Sequence, residues 1–271
     1  MEDFRDKVAV VTGGGSGIGG GIALALAREG AHVVVADIDA DRASKVAEAL
    51  RGLGVRSLAV RTDVRSQEDV DALARRTLEE LGGVDLVFNN AGVYLGGPME
   101  DVTWDDWRFV LDVNLDGAFR VGQKFAEILR RQARESDRRG HLVNTASVGG
   151  FICGPDAVAY GASKFAVVAY SETLRMNLEP LGVGVSALCP GPIDTRLTGS
   201  DRLRAPSEKR GGTSAQLTPL TEGGMDPEEV GPIVLSGVRR NLPYIFTHDE
   251  LRPIFEARFA RILEGFGEID R

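Results

Sequence analysis

The chain has 271 residues, 43% of them hydrophobic, which is enough for one large α/β domain with a full core. Its net charge of −8 argues against nucleic acid or an anionic membrane as the main partner. Cys153 and Cys189, the two cysteines, exclude a disulfide framework and a zinc cluster, and each reads as a small buried hydrophobe.

The first residues, Met1 to Lys7, carry acids before a short apolar run, and no stretch of about 20 apolar residues follows anywhere. The expectation is a cytoplasmic protein with neither signal peptide nor membrane span. Val8-Ala9-Val10-Val11 is a continuous β-branched and small apolar run, the mark of a strand buried on both faces. It runs into Thr12-Gly13-Gly14-Gly15-Ser16-Gly17-Ile18-Gly19 and then into an apolar helix ending at Gly30. Strand, glycine turn and helix make a phosphate site: backbone N–H groups and the positive helix end face a pyrophosphate, and glycine lets the main chain come close. The spacing Thr-Gly-x-x-x-Gly-x-Gly at Thr12, Gly13, Gly17 and Gly19 is more telling than a G-x-G-x-x-G match, which crowded glycines meet by accident.

His32 to Ala36 is a second buried strand, ending at Asp37 about 20 residues past the glycine loop, where a carboxylate can accept hydrogen bonds from an adenosine ribose. A carboxylate there repels a 2′-phosphate. Neither Ser16 nor Ile38, counted with the cofactor contacts, supplies the cation such a phosphate wants, and Arg42 is expected to face solvent from the next helix. The reading is NAD over NADP.

Asp41 to Leu53 reads as an amphipathic helix and Ser57 to Thr62 as a third strand, ended by Asp63-Val64. Ser66 opens a helix running to Gly82-Gly83, and Asp85 to Phe88 is a fourth strand leading into Asn89-Asn90-Ala91-Gly92. A long helix over Thr103 to about Gln132 contains Asn114, and Arg130 to Gly140 reads as a solvated connector. His141 to Ala146 is a strand closed by Ser147. The helix of Tyr160 ends near Leu181-Gly182, and Val183 to Leu188 is a sixth strand followed by Cys189-Pro190-Gly191-Pro192. Strands alternating with helices predict a single Rossmann domain, a doubly wound parallel sheet of seven strands with helices on both faces. The glycine loop, Asp37, Asp63, Asn90, Ser147 and Pro190 then all fall at the carboxyl edge, where such sheets bind ligands.

Tyr160 and Lys164 are four apart, one turn above each other on a helix face. An ammonium ~4 Å from a phenol, at an effective dielectric of about 20, contributes ~4 kcal/mol, or ~3 pKa units. Lys164 is therefore expected to bring Tyr160 towards neutral titration.

With these residues in view the chain resembles the short-chain dehydrogenase/reductase family from about Lys7 to Thr195. The matched elements are the glycine loop, Asn89-Asn90-Ala91-Gly92, Asn114, Ser147, Tyr160-x-x-x-Lys164 and Pro190-Gly191-Pro192-Ile193-Asp194-Thr195, with no departure at any catalytic position. The resemblance implies Tyr160 as general acid/base on an alcohol or ketone oxygen, Ser147 bonding that oxygen, and Lys164 lowering the phenol pKa and holding the nicotinamide ribose. Asn114 would support a water-linked relay to Lys164. Asp63 and Val64 would flank the adenine, Asn90, Ala91 and Gly92 line the cleft, and Ile193 and Thr195 fix the carboxamide beyond Pro190 and Gly191. It also implies a homo-oligomer, dimer or tetramer.

Residues 196–226, rich in Gly, Ser, Thr and Pro, read as a substrate lid. Its cations Arg196, Arg202, Arg204, Lys209 and Arg210 are expected to be solvated. Tyr94, Val148, Gly149, Phe151, Cys153 and Phe165 are candidate substrate walls by position, and Trp104 and Trp107 read as packing or interface residues. Asp226 starts a helix, Tyr244 to His248 is the last strand, and residues 251–271 form a helical extension. Lid and tail are similar to a bacterial branch that includes aryl-ether Cα-dehydrogenases, which implies a bulky or aromatic secondary alcohol. Two other readings stay open: an NAD-binding regulator or scaffold without turnover, and an NAD-retaining epimerase or dehydratase.

Overall fold

A computed structural model describes residues 1, 3–136, 138–204 and 223–266. Seven parallel strands, β1 (Val8–Thr12), β2 (His32–Asp37), β3 (Ser57–Arg61), β4 (Leu86–Asn89), β5 (His141–Thr145), β6 (Gly184–Cys189) and β7 (Tyr244–Phe246), form one sheet in the order β3-β2-β1-β4-β5-β6-β7. The order reverses between β1 and β4, so their carboxyl ends open a crevice at the middle of the sheet.

Alternate residues of one strand serve different cores, which is why the central strands read as unbroken apolar runs. Val8 and Val10 join a core with α3 (Gln67–Leu81), α4 (Trp104–Leu111), α5 (Ala118–Glu135) and α6 (Val158–Leu178). Ala9 and Val11 join the opposite one with α1 (Gly17–Arg28), α2 (Ala40–Arg51) and α7 (Pro227–Arg239). At ~25 cal/mol per Å² of apolar surface, both faces of every central strand add to stability, and a polar side chain there would need a partner.

The expected single helix around Asn114 is two α-helices joined by a π-helical stretch, Asp112–Gly117. Its start is a capping box: Thr103 Oγ1 accepts the Asp106 N–H, and Asp106 accepts the Thr103 N–H. The wider turn brings Asn114 to the β4 loop, where its side chain accepts the Val93 N–H at 2.8 Å and donates to the Val93 carbonyl at 2.9 Å. Those two bonds satisfy the Val93 backbone groups and fix the Asn114 amide in place. Trp107 packs partly buried against the core, whereas Trp104 is 70% exposed.

The stretch expected to be a solvated connector is anchored. The Arg138 guanidinium donates to both oxygens of buried Asp85, at 2.8 and 2.7 Å, and Asp85 also accepts the Val8 N–H. A carboxylate with 2% of its side chain exposed needs such a partner, which the charge run concealed. Cys189 is buried as expected, but Cys153 is exposed.

Helix α8 (Arg252–Glu264) forms the tail; residues 267–271 lie outside the described residues. It rests on Phe151 through Phe255, with ring centroids 5.3 Å apart, and Arg258 covers the Phe165 ring at 5.3 Å. No helix among the described residues is long and apolar enough to cross a membrane.

Candidate active site

At the crevice lies a cleft of about 430 Å³. Its floor begins with the glycine loop. Gly13 and Gly17 have φ of +63° and +53°, a conformation that L side chains rarely adopt, and a Cβ on Gly13 would lie 3.0 Å from the Ala91 Cα. Thr12 fastens this loop to the next one, its Oγ1 accepting the N–H groups of Asn90 at 2.9 Å and Ala91 at 3.1 Å. Bare backbone at the start of a twelve-residue helix fits an anionic pyrophosphate.

Of the residues singled out from sequence, Gly13, Ser16, Gly17, Ile18, Asp37, Ile38, Asp63, Val64, Asn90, Ala91, Gly92, Ser147, Tyr160, Lys164, Pro190, Gly191, Ile193 and Thr195 all line this one cleft. Gly19 lies beneath it, against the Gly13 carbonyl and Asn90. Asn114 also stands behind the lining, 1% exposed, its amide further donating to Ser163 Oγ at 3.1 Å.

At the β2 end of the cleft, Asp37 accepts the Gly15 N–H at 2.9 Å and the Asp39 N–H at 3.0 Å, so its carboxylate is fixed at the end of that strand. Arg42 does not face solvent as expected. It lines the cleft with its guanidinium held by Asp39 at 2.9 Å, the same carboxylate that caps α2 by accepting the Arg42 N–H. Burial alone would raise the Asp63 pKa, but the Arg65 guanidinium, 2.7 Å away, holds it below the usual carboxylate range.

The far end holds the titrating cluster. The Ser147 Oγ, at the end of β5, and the edge of the Tyr160 ring both lie within 3.4 Å of where a Gly149 Cβ would stand, and the hydroxyl acts to lower the phenol pKa. Lys164 Nζ lies 5.5 Å from the Tyr160 ring centroid and donates to the Thr145 carbonyl at 2.8 Å. The expected lowering of Tyr160 is not found in this arrangement. Burial pushes the phenol up to about 12 against the lowering by Ser147, and burial brings Lys164 down to about 8. Lys164 is buried and Tyr160 partly so, and at each the loss of water is the largest influence.

The candidate substrate walls distribute differently from the expectation. Tyr94 is buried with its ring edge-on to Tyr160, centroids 4.9 Å apart. Phe151 belongs to an aromatic group with Tyr244, Phe246 and Phe255, and Gly149 donates its N–H to Ser147 Oγ. Among the lid cations, Arg196 and Arg202 stand exposed as expected, at the rim of the cleft they line. Arg204 is 3% exposed, paired with Asp106 at 2.6 Å and lying over Phe109. Only Arg204 is withdrawn against acids and an aromatic ring, which loop composition does not reveal. Lys209 and Arg210 lie outside the described residues. Phe109, Val113, Leu197, Ser200 and Leu203 also line the cleft and were not foreseen; the 3.6-residue spacing of Phe109 and Val113 was the available signal.

Fold and cleft together define a doubly wound nucleotide-binding oxidoreductase. Residues 7–205 match the family model described as short chain dehydrogenase, and the chain belongs to that family. It is 32% identical to a C alpha-dehydrogenase of Sphingobium sp., across 100% of this chain and 90% of that one. It is 36% identical to 1-deoxy-11-beta-hydroxypentalenate dehydrogenase of Streptomyces exfoliatus, across 92% and 86%. A short-chain dehydrogenase/reductase of Burkholderia phymatum, solved in complex with NAD, superposes with a TM-score of 0.91 at 33% identity, covering 100% of this chain and 99% of that one.

Proposed function

We propose that the chain transfers hydride between NAD(H) and a bulky or aromatic secondary alcohol or its ketone, with Tyr160 as general acid/base. The observation that carries this reading is the gathering of Ser147, Tyr160 and Lys164 in one cleft with the glycine loop and Asp37. The nicotinamide ring supplies the hydride chemistry. Tyr160 moves the proton at the substrate oxygen, Ser147 holds that oxygen, and Lys164 contributes positive charge and a donor for the ribose. Asn114 supports a proton relay behind Lys164. Asp37 meets the adenosine ribose, and its charge disfavours a 2′-phosphate. The aromatic substrate class draws on the Sphingobium relative's name and on the tyrosine and phenylalanine rings around Tyr160 and Phe151.

The lid over 196–226 and the helical extension over 251–271 are taken as the substrate-facing parts. Self-association is expected through the helices around Asn114 and Tyr160, where Phe119 is 48% exposed beside Tyr170; a monomer mass in light scattering would overturn it. The main test is NADH absorbance with a panel of aromatic, alicyclic and hydroxy-acid secondary alcohols, with NAD and NADP in parallel. Turnover with NAD on a bulky alcohol, lost in Tyr160→Phe while NAD binding persists, supports the reading. Full activity in Tyr160→Phe would overturn it.

A further inference from the structure

The short helical segment Leu197–Leu203 is fastened to the opposite side of the cleft from the one where it begins. It follows Thr195, whose side chain lies 3.2 Å from where a Gly17 Cβ would stand, so it starts against the glycine loop. Leu197, Ser200, Arg202 and Leu203 then line the cleft. It ends on the far wall: buried Ser200 Oγ accepts the Tyr94 N–H at 3.0 Å and donates to the Leu197 carbonyl. The Arg204 guanidinium reaches Asp106 of α4 at 2.6 Å and Asp201 at 3.6 Å and lies 5.0 Å from the Phe109 ring centroid. The return strand is fixed as well, since Met225 donates its N–H to the Pro192 carbonyl and accepts the Asp194 N–H.

Two such attachments, one neutral and one ionic, both withdrawn from water, are more than a surface loop needs. Exposed ion pairs contribute little, but a guanidinium that is 3% exposed loses water it can recover only through its partners. The attachment through Tyr94 also bears on the chemistry, because the Tyr94 ring rests edge-on against Tyr160.

We propose that Ser200 and Arg204 are positioning residues forming a latch that holds the 197–203 segment across the cleft and limits the rate at which the dinucleotide leaves. The proposal rests on the NAD reading of the same cleft. A dinucleotide lying between the glycine loop and Tyr160 passes under this segment, so the segment must lift before it departs. Opening requires the Ser200–Tyr94 bond and the Arg204–Asp106 pair to break together.

The test is stopped-flow displacement of NADH by excess NAD, read by NADH fluorescence, in wild type, Ser200→Ala and Arg204→Met. In Arg204→Met Asp106 Oδ2 keeps its bonds to Thr103, and only Oδ1 loses its partner. Each variant is expected to release NADH faster by about threefold to tenfold, the range set by losing one buried hydrogen bond. Thermal melting without cofactor identifies a variant that fails to fold, and the other then decides. Wild-type release rates in the folded variants would overturn the latch while leaving the NAD reading intact. Failure of wild type to bind NADH would overturn both.

Discussion

Lys164 stands one helical turn from Tyr160, with Nζ 5.5 Å from the phenol ring centroid, yet its proton is donated to the Thr145 carbonyl. The ammonium therefore acts on the phenol through space. At that separation and an effective dielectric of about 20, the attraction is ~3 kcal/mol, or ~2 pKa units. Burial exceeds it and leaves the phenol at about 12. Lys164, lowered to about 8, is charged below that pH and loses its charge as pH rises through it. Lys164→Met should thus lower alcohol oxidation at pH 7 by about 100-fold and remove an inflection near pH 8. A pH–rate profile identical to wild type would show that the ammonium plays no part.

Asp37 and Arg42 line the same end of the cleft, and under the proposed NAD reading their opposite charges would give cofactor choice an electrostatic basis. Replacing the carboxylate by an amide in Asp37→Asn removes repulsion towards a 2′-phosphate and leaves Arg42 in place. The ratio of kcat/KM with NADP to that with NAD should rise by at least about tenfold, equivalent to ~1.4 kcal/mol. Steady-state kinetics with both cofactors measures it, and an unchanged ratio would remove Asp37 from the discrimination.

The sheet was legible because both faces of each central strand are buried, so Val8 to Val11 and Val33 to Val35 carry no polar interruption. The cleft was legible for a related reason: glycines, Asp37, Ser147 and Pro190 mark strand ends, and topology gathers strand ends at one edge. Side-chain pairing was not legible. Arg138, Arg204 and Arg42 occur in charge-rich stretches of ordinary composition, and their partners Asp85, Asp106 and Asp39 are fixed by the folded geometry. The π-helical turn at Asn114 was likewise hidden, since it depends on Val93, 21 residues away, offering its backbone groups. The pKa direction at Tyr160 failed for a different reason: helical spacing reports proximity and is silent on desolvation.

The Arg138–Asp85 pair makes the second half of that contrast measurable. Asp85 is buried, while Arg138 is 30% exposed, so solvent screening reduces the figure for a fully buried pair. Arg138→Ala should lower unfolding free energy by about 2 kcal/mol at pH 7, read from urea unfolding. Arg138→Ala, Asp85→Asn should recover part of the loss, because the amide no longer leaves a buried charge. Recovery of nothing would mean that Arg138 acts through packing alone.

His141 offers a stability test in a pH window that carboxylates leave quiet. Its Nε2 lies 2.8 Å from Ser186 Oγ, and that hydroxyl donates to the Leu242 carbonyl, so Nε2 carries the proton and Nδ1 does not. Burial first, then the chain's amino terminus and Arg175, bring its pKa from 6.5 to about 3. Between those values the unfolded chain binds a proton that the folded one does not. The stabilisation is therefore present above pH 6.5 and is lost as pH falls towards 3, at up to about 1.4 kcal/mol per pH unit. From pH 6.5 to 5 wild type should lose about 2 kcal/mol that His141→Gln retains, measured by urea unfolding at each pH. His32 is lowered as well, by burial first, but it contributes equally to both proteins and cancels in the comparison. Parallel losses in wild type and variant would place the acid sensitivity elsewhere in the fold.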